Sequence, residues 1–176
     1  MPWISAAAGI AAVDSLRDYG IEARLKWPND ILVHEYKVGG LIAHAGYEAG
    51  GSATVIVGLG LNLRGARADF QALGLHHASS VEAETGEAPP PVRAVAELWL
   101  AWLNNRLVSL ARIGPSALLD PYRELLADVG KFATVRTADM RQIQGYLRGV
   151  TDHGELRVQT REGEEETVLA GIVEWQ

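Results

Sequence analysis

Lys26-Trp27-Pro28-Asn29-Asp30-Ile31-Leu32-Val33, with Lys37-Val38-Gly39-Gly40 close behind it, constrains how everything around it must be arranged. Ala23, Leu25 and Trp27 alternate with Glu22, Arg24 and Lys26, the period of a half-buried strand. Pro28 disfavours helix at Trp27 and turns the strand into a loop. Ile31 to Val33 reads as a short strand, His34-Glu35-Tyr36 as its turn, and Gly39 to Tyr47 as the strand that returns. Two ammoniums, a carboxylate, an amide and a glycine pair therefore fall within fifteen residues bracketed by strand-like apolar runs. That set is poor packing material and a good cradle for an anionic ligand.

On the N-terminal side, Ser5 to Tyr19 reads as a helix, with Ser5 as N-cap, Ile10, Val13 and Leu16 at helical spacing, and Gly20 as the left-handed stop. Its alanines predict close packing. On the C-terminal side, Glu48-Ala49-Gly50-Gly51-Ser52 is a loop signal, and Val55, Val57, Leu59, Leu61 and Leu63 alternate as a further strand. Arg64 to Ser80 has no firm period and reads as a mobile loop. After Pro89-Pro90-Pro91, a stripe from Val95 through Trp99 and Trp102 to Leu110 predicts a helix with Trp102 in the core, stopped by Gly114-Pro115. A second helix covers about Ser116 to Ala127. From Gly130 the pattern changes to short strands, Phe132–Arg136, Ile143–Val150, Glu155–Gln159 and Thr167–Leu169, separated by turns. Their spacing predicts a small antiparallel barrel that packs on the larger part. The expected division is 1–127 and 128–176.

Composition narrows the function. The chain has 176 residues, a formal charge of −6 and no cysteine. The charge and the lack of a Lys/Arg run argue against a general nucleic-acid surface. Disulfides and thiolate metal sites are excluded. No stretch is apolar and long enough to span a bilayer, and the start lacks the pattern of a secretory signal. A cytoplasmic location is expected.

Lys37 is the sharpest candidate, because an ammonium beside two glycines can extend over bare backbone. At an effective dielectric near 20, an ammonium ~4 Å from an oxyanion gains about 4 kcal/mol. Taken alone, the residue reads more readily as a solvated hairpin lysine paired with Glu35. Asp30 has the chemistry to position a lysine or meet a magnesium-bound phosphate, and Asn29 can donate and accept in a ligand plane, yet Asn-Asp after Pro is also ordinary turn chemistry. Trp27 is read as half core, its indole N–H needing a partner. Gly58-x-Gly60-x-Asn62 is not a dinucleotide fingerprint, since no third glycine or helix follows. It marks close approach by a ligand or by a packed helix. No metal ligand set is assigned: His76 and His77 are adjacent and point apart, and His34 and His44 lack a third partner.

Taken together these motifs resemble a family. Lys26 to Asp30, then Lys37 to Ile42, then Val57 to Leu63 closely resemble the central domain of the biotin protein ligases, the biotin–[acetyl-CoA-carboxylase] ligases. Ala78-Ser79-Ser80-Val81 resembles the segment closing that family's adenylate-binding loop, and Gly130 to Gln176 its SH3-like C-terminal domain. The resemblance implies an α+β fold: a mixed or antiparallel sheet with packed helices, like class II aminoacyl-tRNA synthetases, plus a small SH3-like β-barrel at the C-terminus. It implies that biotin and ATP with Mg2+ form biotinyl-5′-AMP, and that a lysine of a biotin carboxyl-carrier protein domain then takes the biotin. Lys37 matches the lysine at the acyl-phosphate junction. Lys26, Trp27, Asn29 and Asp30 match the motif beside the phosphates, and Asn62 the ATP-side asparagine. Gly39, Gly40, Gly58 and Gly60 would admit the ligand. Arg64 to His77 would order over the adenylate.

Family members carry a strand of Ser-Thr-Asn type and a Gly-Arg-Gly-Arg-x-Gly-Arg loop ahead of the first helix, and nothing here matches them. The chain is therefore expected to hold the C-terminal two-thirds of a catalytic unit, with weak activity. The other readings are a non-catalytic carrier- or nucleotide-binding remnant and a lipoate-type ligase. A homodimer is compatible with the sequence. DNA binding is not expected, since no winged helix is present.

Overall fold

The computed structural model describes residues 2–47 and 53–175, so the Glu48–Ser52 loop signal lies outside the described residues. Helix α1 (Pro2–Arg17) leads into a hairpin sheet of β1 (Ala23–Lys26), β2 (Asp30–Val33), β3 (Tyr36–Tyr47) and β4 (Ala53–Leu61). Two short helices follow, α2 (Arg67–Ala72) and α3 (Val81–Thr85), then α4 (Val92–Ile113) and α5 (Ser116–Leu125). The C-terminal part is β5 (Phe132–Thr137), β6 (Gln142–Val150), β7 (Leu156–Thr160), β8 (Glu165–Val168) and β9 (Gly171–Trp175).

The first sheet is antiparallel in the order β1-β2-β3-β4. Helix α1 covers it, and every residue from Ala6 to Leu16 is buried. The alanines explain this, because a helix without bulky side chains can be approached from all round. At Gly9 a Cβ would already sit 3.2 Å from Leu41 and 3.3 Å from Leu25. Ser5 lies inside α1 rather than capping it: the helix starts three residues earlier. Gly20 adopts the expected left-handed conformation (φ +73°) just past the helix.

Helix α4 packs on α1 through polar as well as apolar contacts. Trp99 donates its indole N–H to the Ala8 carbonyl at 3.1 Å, and Arg106 reaches the buried Asp14 carboxylate at 2.5 Å. Trp102, expected in the core, is only half-buried and bonds the exposed Asp18 carboxylate at 2.9 Å. Its position on the stripe faces the rim of the α1–α4 contact, and Trp99, one turn earlier, packs against the core instead.

The second sheet has the order β8-β7-β6-β5-β9. Strand β9 was missed in the sequence because Gly171-Ile172-Val173 follows β8 after only Leu169-Ala170 and reads as its tail. Among the described residues β8 and β9 are not paired, so hydrogen bonds do not close the barrel. The two sheets are joined by local ties. Leu25 bridges Leu126, Ala127 N–H donates to the Leu25 carbonyl at 2.8 Å, and Arg123 donates to the Val150 carbonyl at 2.9 Å.

Candidate functional site

The β2–β3 hairpin positions the site. Its turn is His34-Glu35, with His34 at φ +55°, and β3 begins at Tyr36, three residues before the expected start. Asp30 stands opposite Gly40 in the register, and a bulge between Ile31 and Leu32 shifts Lys37 so that it faces Leu32. The shift brings the Lys37 ammonium to 2.5 Å from the Asp30 carboxylate. Lys37 does not pair with Glu35, which meets Lys131 instead at 3.3 Å. A Cβ at residue 40 would lie 3.6 Å from the Lys37 Nζ, so the amine does extend over glycine backbone.

The glycines divide by role. A Cβ on Gly39 would come within 2.6 Å of the Leu61 side chain and closer still to the Gly60 carbonyl. Close packing of β4 therefore requires glycine at position 39. Gly40 has ordinary clearance, Gly58 has open space, and the nearest atom to a Cβ on Gly60 is the Gly40 carbonyl at 3.9 Å. Gly60 pairs with Gly40, leaving two facing positions without side chains beside Lys37, while Gly58 stands opposite the exposed Ile42 side chain.

Two cavities flank the loop between β1 and β2. One, of about 340 Å3, is lined by Lys26, Asp30, Lys37, the 74–78 segment and Trp175 from β9. The other, of about 350 Å3, lies across the loop and is lined by Trp27, Pro28, Asn29, Leu41 and Ile42 with Trp3 and Leu169. Asn62 lines neither. Its side-chain amide donates to the Ser79 carbonyl at 3.0 Å, and its backbone N–H to the Val38 carbonyl at 2.7 Å. Asn29 donates to the Leu41 carbonyl at 2.7 Å. Both asparagines therefore brace the hairpin. Trp27 is buried, and its indole N–H points to the Gly154 carbonyl at 3.3 Å.

Burial lowers the Lys26 pKa, against the opposing pull of the Asp30 and Asp128 carboxylates. Its ammonium lies 4.7 Å from the centre of the Trp175 ring, and that of Lys131 lies 3.4 Å from it. Sequence reasoning missed Trp175 at this cavity, and Lys131, which stacks on its ring. They stand in the C-terminal part, and no spacing in the chain connects them with Lys37. Among the described residues no group of three His or acidic side chains could hold a metal.

The segment read as a loop without a firm period carries a short helix and is tied to the hairpin. Arg64 to Ser80 contains α2, and its end runs beside Lys37: the Lys37 N–H donates to the His77 carbonyl at 2.8 Å, and the Ser79 N–H donates to the Lys37 carbonyl at 2.9 Å. Polar anchors at Ser79, Ser80 and Asn62 supply the order that hydrophobic periodicity did not signal.

Residues 2–62 match the Biotin/lipoate A/B protein ligase family, and residues 133–175 the Biotin protein ligase C terminal domain. The chain is 32% identical over 158 residues to a biotin–[acetyl-CoA-carboxylase] ligase of Paracoccus denitrificans, covering 87% of this chain and 65% of that one. It is 28% identical over 158 residues to the Mycobacterium tuberculosis enzyme of the same name, covering 88% of this chain and 55% of that one. A bifunctional ligase/repressor of Bacillus subtilis is 25% identical over 172 residues, with 52% of its length covered. The chain thus spans about half the length of these last two relatives. The apo structure of a biotin protein ligase from Aquifex aeolicus superposes with a TM-score of 0.82 at 20% identity, over 100% of this chain and 75% of that one. At that identity the match speaks for the fold.

Proposed function

From the premise that this chain belongs to the biotin protein ligase family, we propose that it joins biotin to a carrier-protein lysine through biotinyl-5′-AMP. The observation that carries this reading is the Lys37 ammonium, set over the Gly40 backbone and oriented by Asp30 beside a cavity. In the first step the biotin carboxylate attacks the α-phosphorus of ATP and pyrophosphate leaves. Lys37 stabilises the negative charge that builds on the phosphoryl oxygens. In the second step the carrier amine attacks the acyl carbon and AMP leaves, and the same ammonium stabilises the acyl oxyanion. A preorganised charge contributes most where water is excluded, and the segment over Lys37 serves that purpose.

The remaining residues divide around this centre. Lys26 adds positive charge next to the phosphates. Gly40 and Gly60 give the ligand bare backbone beside Lys37, Gly58 widens it next to Ile42, while Gly39, Asn29 and Asn62 keep the hairpin in shape. Trp27 ties the loop to the C-terminal part. Magnesium enters on the nucleotide phosphates rather than in a protein cage, because Asp30 already faces Lys37. We assign residues 1–127 to the catalytic unit and 128–176 to the C-terminal domain, and place the protein in the cytoplasm, where ATP and apo-carrier meet. Its partner is a biotin carboxyl-carrier domain. β4 forms one edge of its sheet, and self-association along that edge is read by sedimentation.

Incubation with labelled biotin, MgATP and a carrier domain tests the reading: biotinyl-5′-AMP and labelled carrier are the expected products. ATP binding without either product would replace the ligase reading with a binding module. The matched family also includes lipoate ligases, so lipoate in place of biotin is the second arm. Transfer of lipoate alone would reassign the substrate.

A further inference from the structure

We propose that Glu84 is a positioning residue, a latch that holds the 64–79 segment and the hairpin turn together and so fixes the backbone from which Lys37 extends; this rests on the role given to Lys37 above. The latch lies outside both cavities. Both backbone groups of Lys37 are held by the end of the segment, at His77 and Ser79. The start of the segment is held by Arg67, whose guanidinium lies 3.8 Å over the Tyr36 ring, next to Lys37 in the chain. Arg67 and the turn residue His34 converge on one carboxylate: Arg67 Nη2 is 2.7 Å from Glu84 Oε1, and His34 Nδ1 is 3.3 Å from Glu84 Oε2.

The Glu84 side chain is only 2% exposed. Burial alone would raise its pKa, but the Arg67 and His34 donors, with the Ser79 hydroxyl nearby though short of full hydrogen-bond geometry, outweigh it and hold the carboxylate below its ordinary range. Helix α3 aims the carboxylate. Ser80 caps α3 by accepting the Ala83 N–H at 3.1 Å, and the same hydroxyl donates to the Gly65 carbonyl at 2.6 Å. The capped helix therefore closes the 65–80 segment on itself, and Glu84 ties that closed segment to the hairpin. A shielded carboxylate with two nitrogen donors is a different case from an exposed ion pair, because charge-assisted hydrogen bonds to both oxygens fix its position. A reacting ammonium must be held to within a fraction of an ångström, so freedom at this tie reaches the chemistry.

Amide hydrogen exchange on the full chain tests the latch without any ligand. Glu84→Ala and Arg67→Ala are each expected to speed exchange at the Lys37 and Ser79 amides about tenfold. The double variant should be no faster than either alone, and Glu84→Gln, which can still accept from Arg67, should stay nearer the parent. Amides of β5 to β7 should not change. The kcat of adenylate formation should fall by a similar factor, with KM for ATP moving less. Unchanged Lys37 and Ser79 amides in Glu84→Ala overturn the proposal, as does faster exchange spread equally through β5 to β7. Should Glu84→Ala not fold, Arg67→Ala and Glu84→Gln are read at the same two amides. A parent chain that makes no adenylate removes the ligase reading and leaves the exchange result standing.

Discussion

Lys37 and its glycines set the predictions at the scale of single residues. The Lys37–Asp30 pair is part-exposed, so its contribution to stability is at most about 1 kcal/mol. Lys37→Ala should therefore keep its melting temperature while biotin-dependent ATP–pyrophosphate exchange falls at least about 100-fold. A melting temperature that drops sharply would make the residue structural. Gly39 and Gly40, adjacent in sequence, should behave in opposite ways. Gly39→Ala forces a Cβ against β4 and should cost about 1–3 kcal/mol in denaturant unfolding. Gly40→Ala has room in the folded chain and should unfold normally, but its methyl enters the strip beside the Lys37 amine and should raise KM for biotin. The Gly-Gly pair is legible as a signal for close approach; which glycine faces β4 and which faces the ligand strip is not. The β3–β4 contact gives them different clearance, Gly39 pressed on Leu61 and the Gly60 carbonyl and Gly40 open toward Lys37.

Among the elements, α4 shows how far a hydrophobic stripe can be read. The stripe predicts the helix and its stop, and Val92–Ile113 ends at Gly114 as expected. It does not rank Trp99 against Trp102, because both fall on the same broad face. The tertiary contact does so: Trp99 packs on the core and bonds Ala8, whereas Trp102 bonds an exposed carboxylate at the rim. Trp99→Ala should cost about 3 kcal/mol and Trp102→Ala about 1 kcal/mol, read from urea unfolding midpoints. The reverse order would mean that the rim contact is the tighter one. The 64–80 segment shows the opposite limit. Its order comes from hydrogen bonds to Lys37 and Asn62 outside the segment and between Ser80 and Gly65 across it, each joining residues at least 15 positions apart, and no local period announces them.

Across the whole molecule, the joint between the two sheets carries a buried charge. Asp128 lies fully inside, near the backbone amides of Trp27 and of its own residue and near Lys26 and Lys131, yet neither carboxylate oxygen has a partner at full hydrogen-bond geometry. Burial pushes its pKa up to about 6. The folded state then keeps a proton that the unfolded chain has already lost, so this group's contribution to stability falls as pH rises from about 4 to about 6, by at most about 3 kcal/mol. Asp128→Asn removes that loss. Its stability relative to the parent should climb across this window and level off above it, as followed by thermal melts from pH 4 to 8. A constant difference would mean that the carboxylate stays ionised throughout. The same joint brings Trp175, with Lys131 stacked on its ring, to the cavity that holds Lys37, a meeting no spacing along the chain could foretell. Alternation, helical period, glycines and prolines determined the strands, the long helices and the hairpin with its two lysines and aspartate, because each depends on neighbours a few positions away. Packing across the sheets decided the partner of Lys37, the division of labour between the glycines, the order of the 64–80 segment and the C-terminal wall of the cavity. These follow from contacts between residues far apart in the chain, and they exist only once the folded chain brings those residues together.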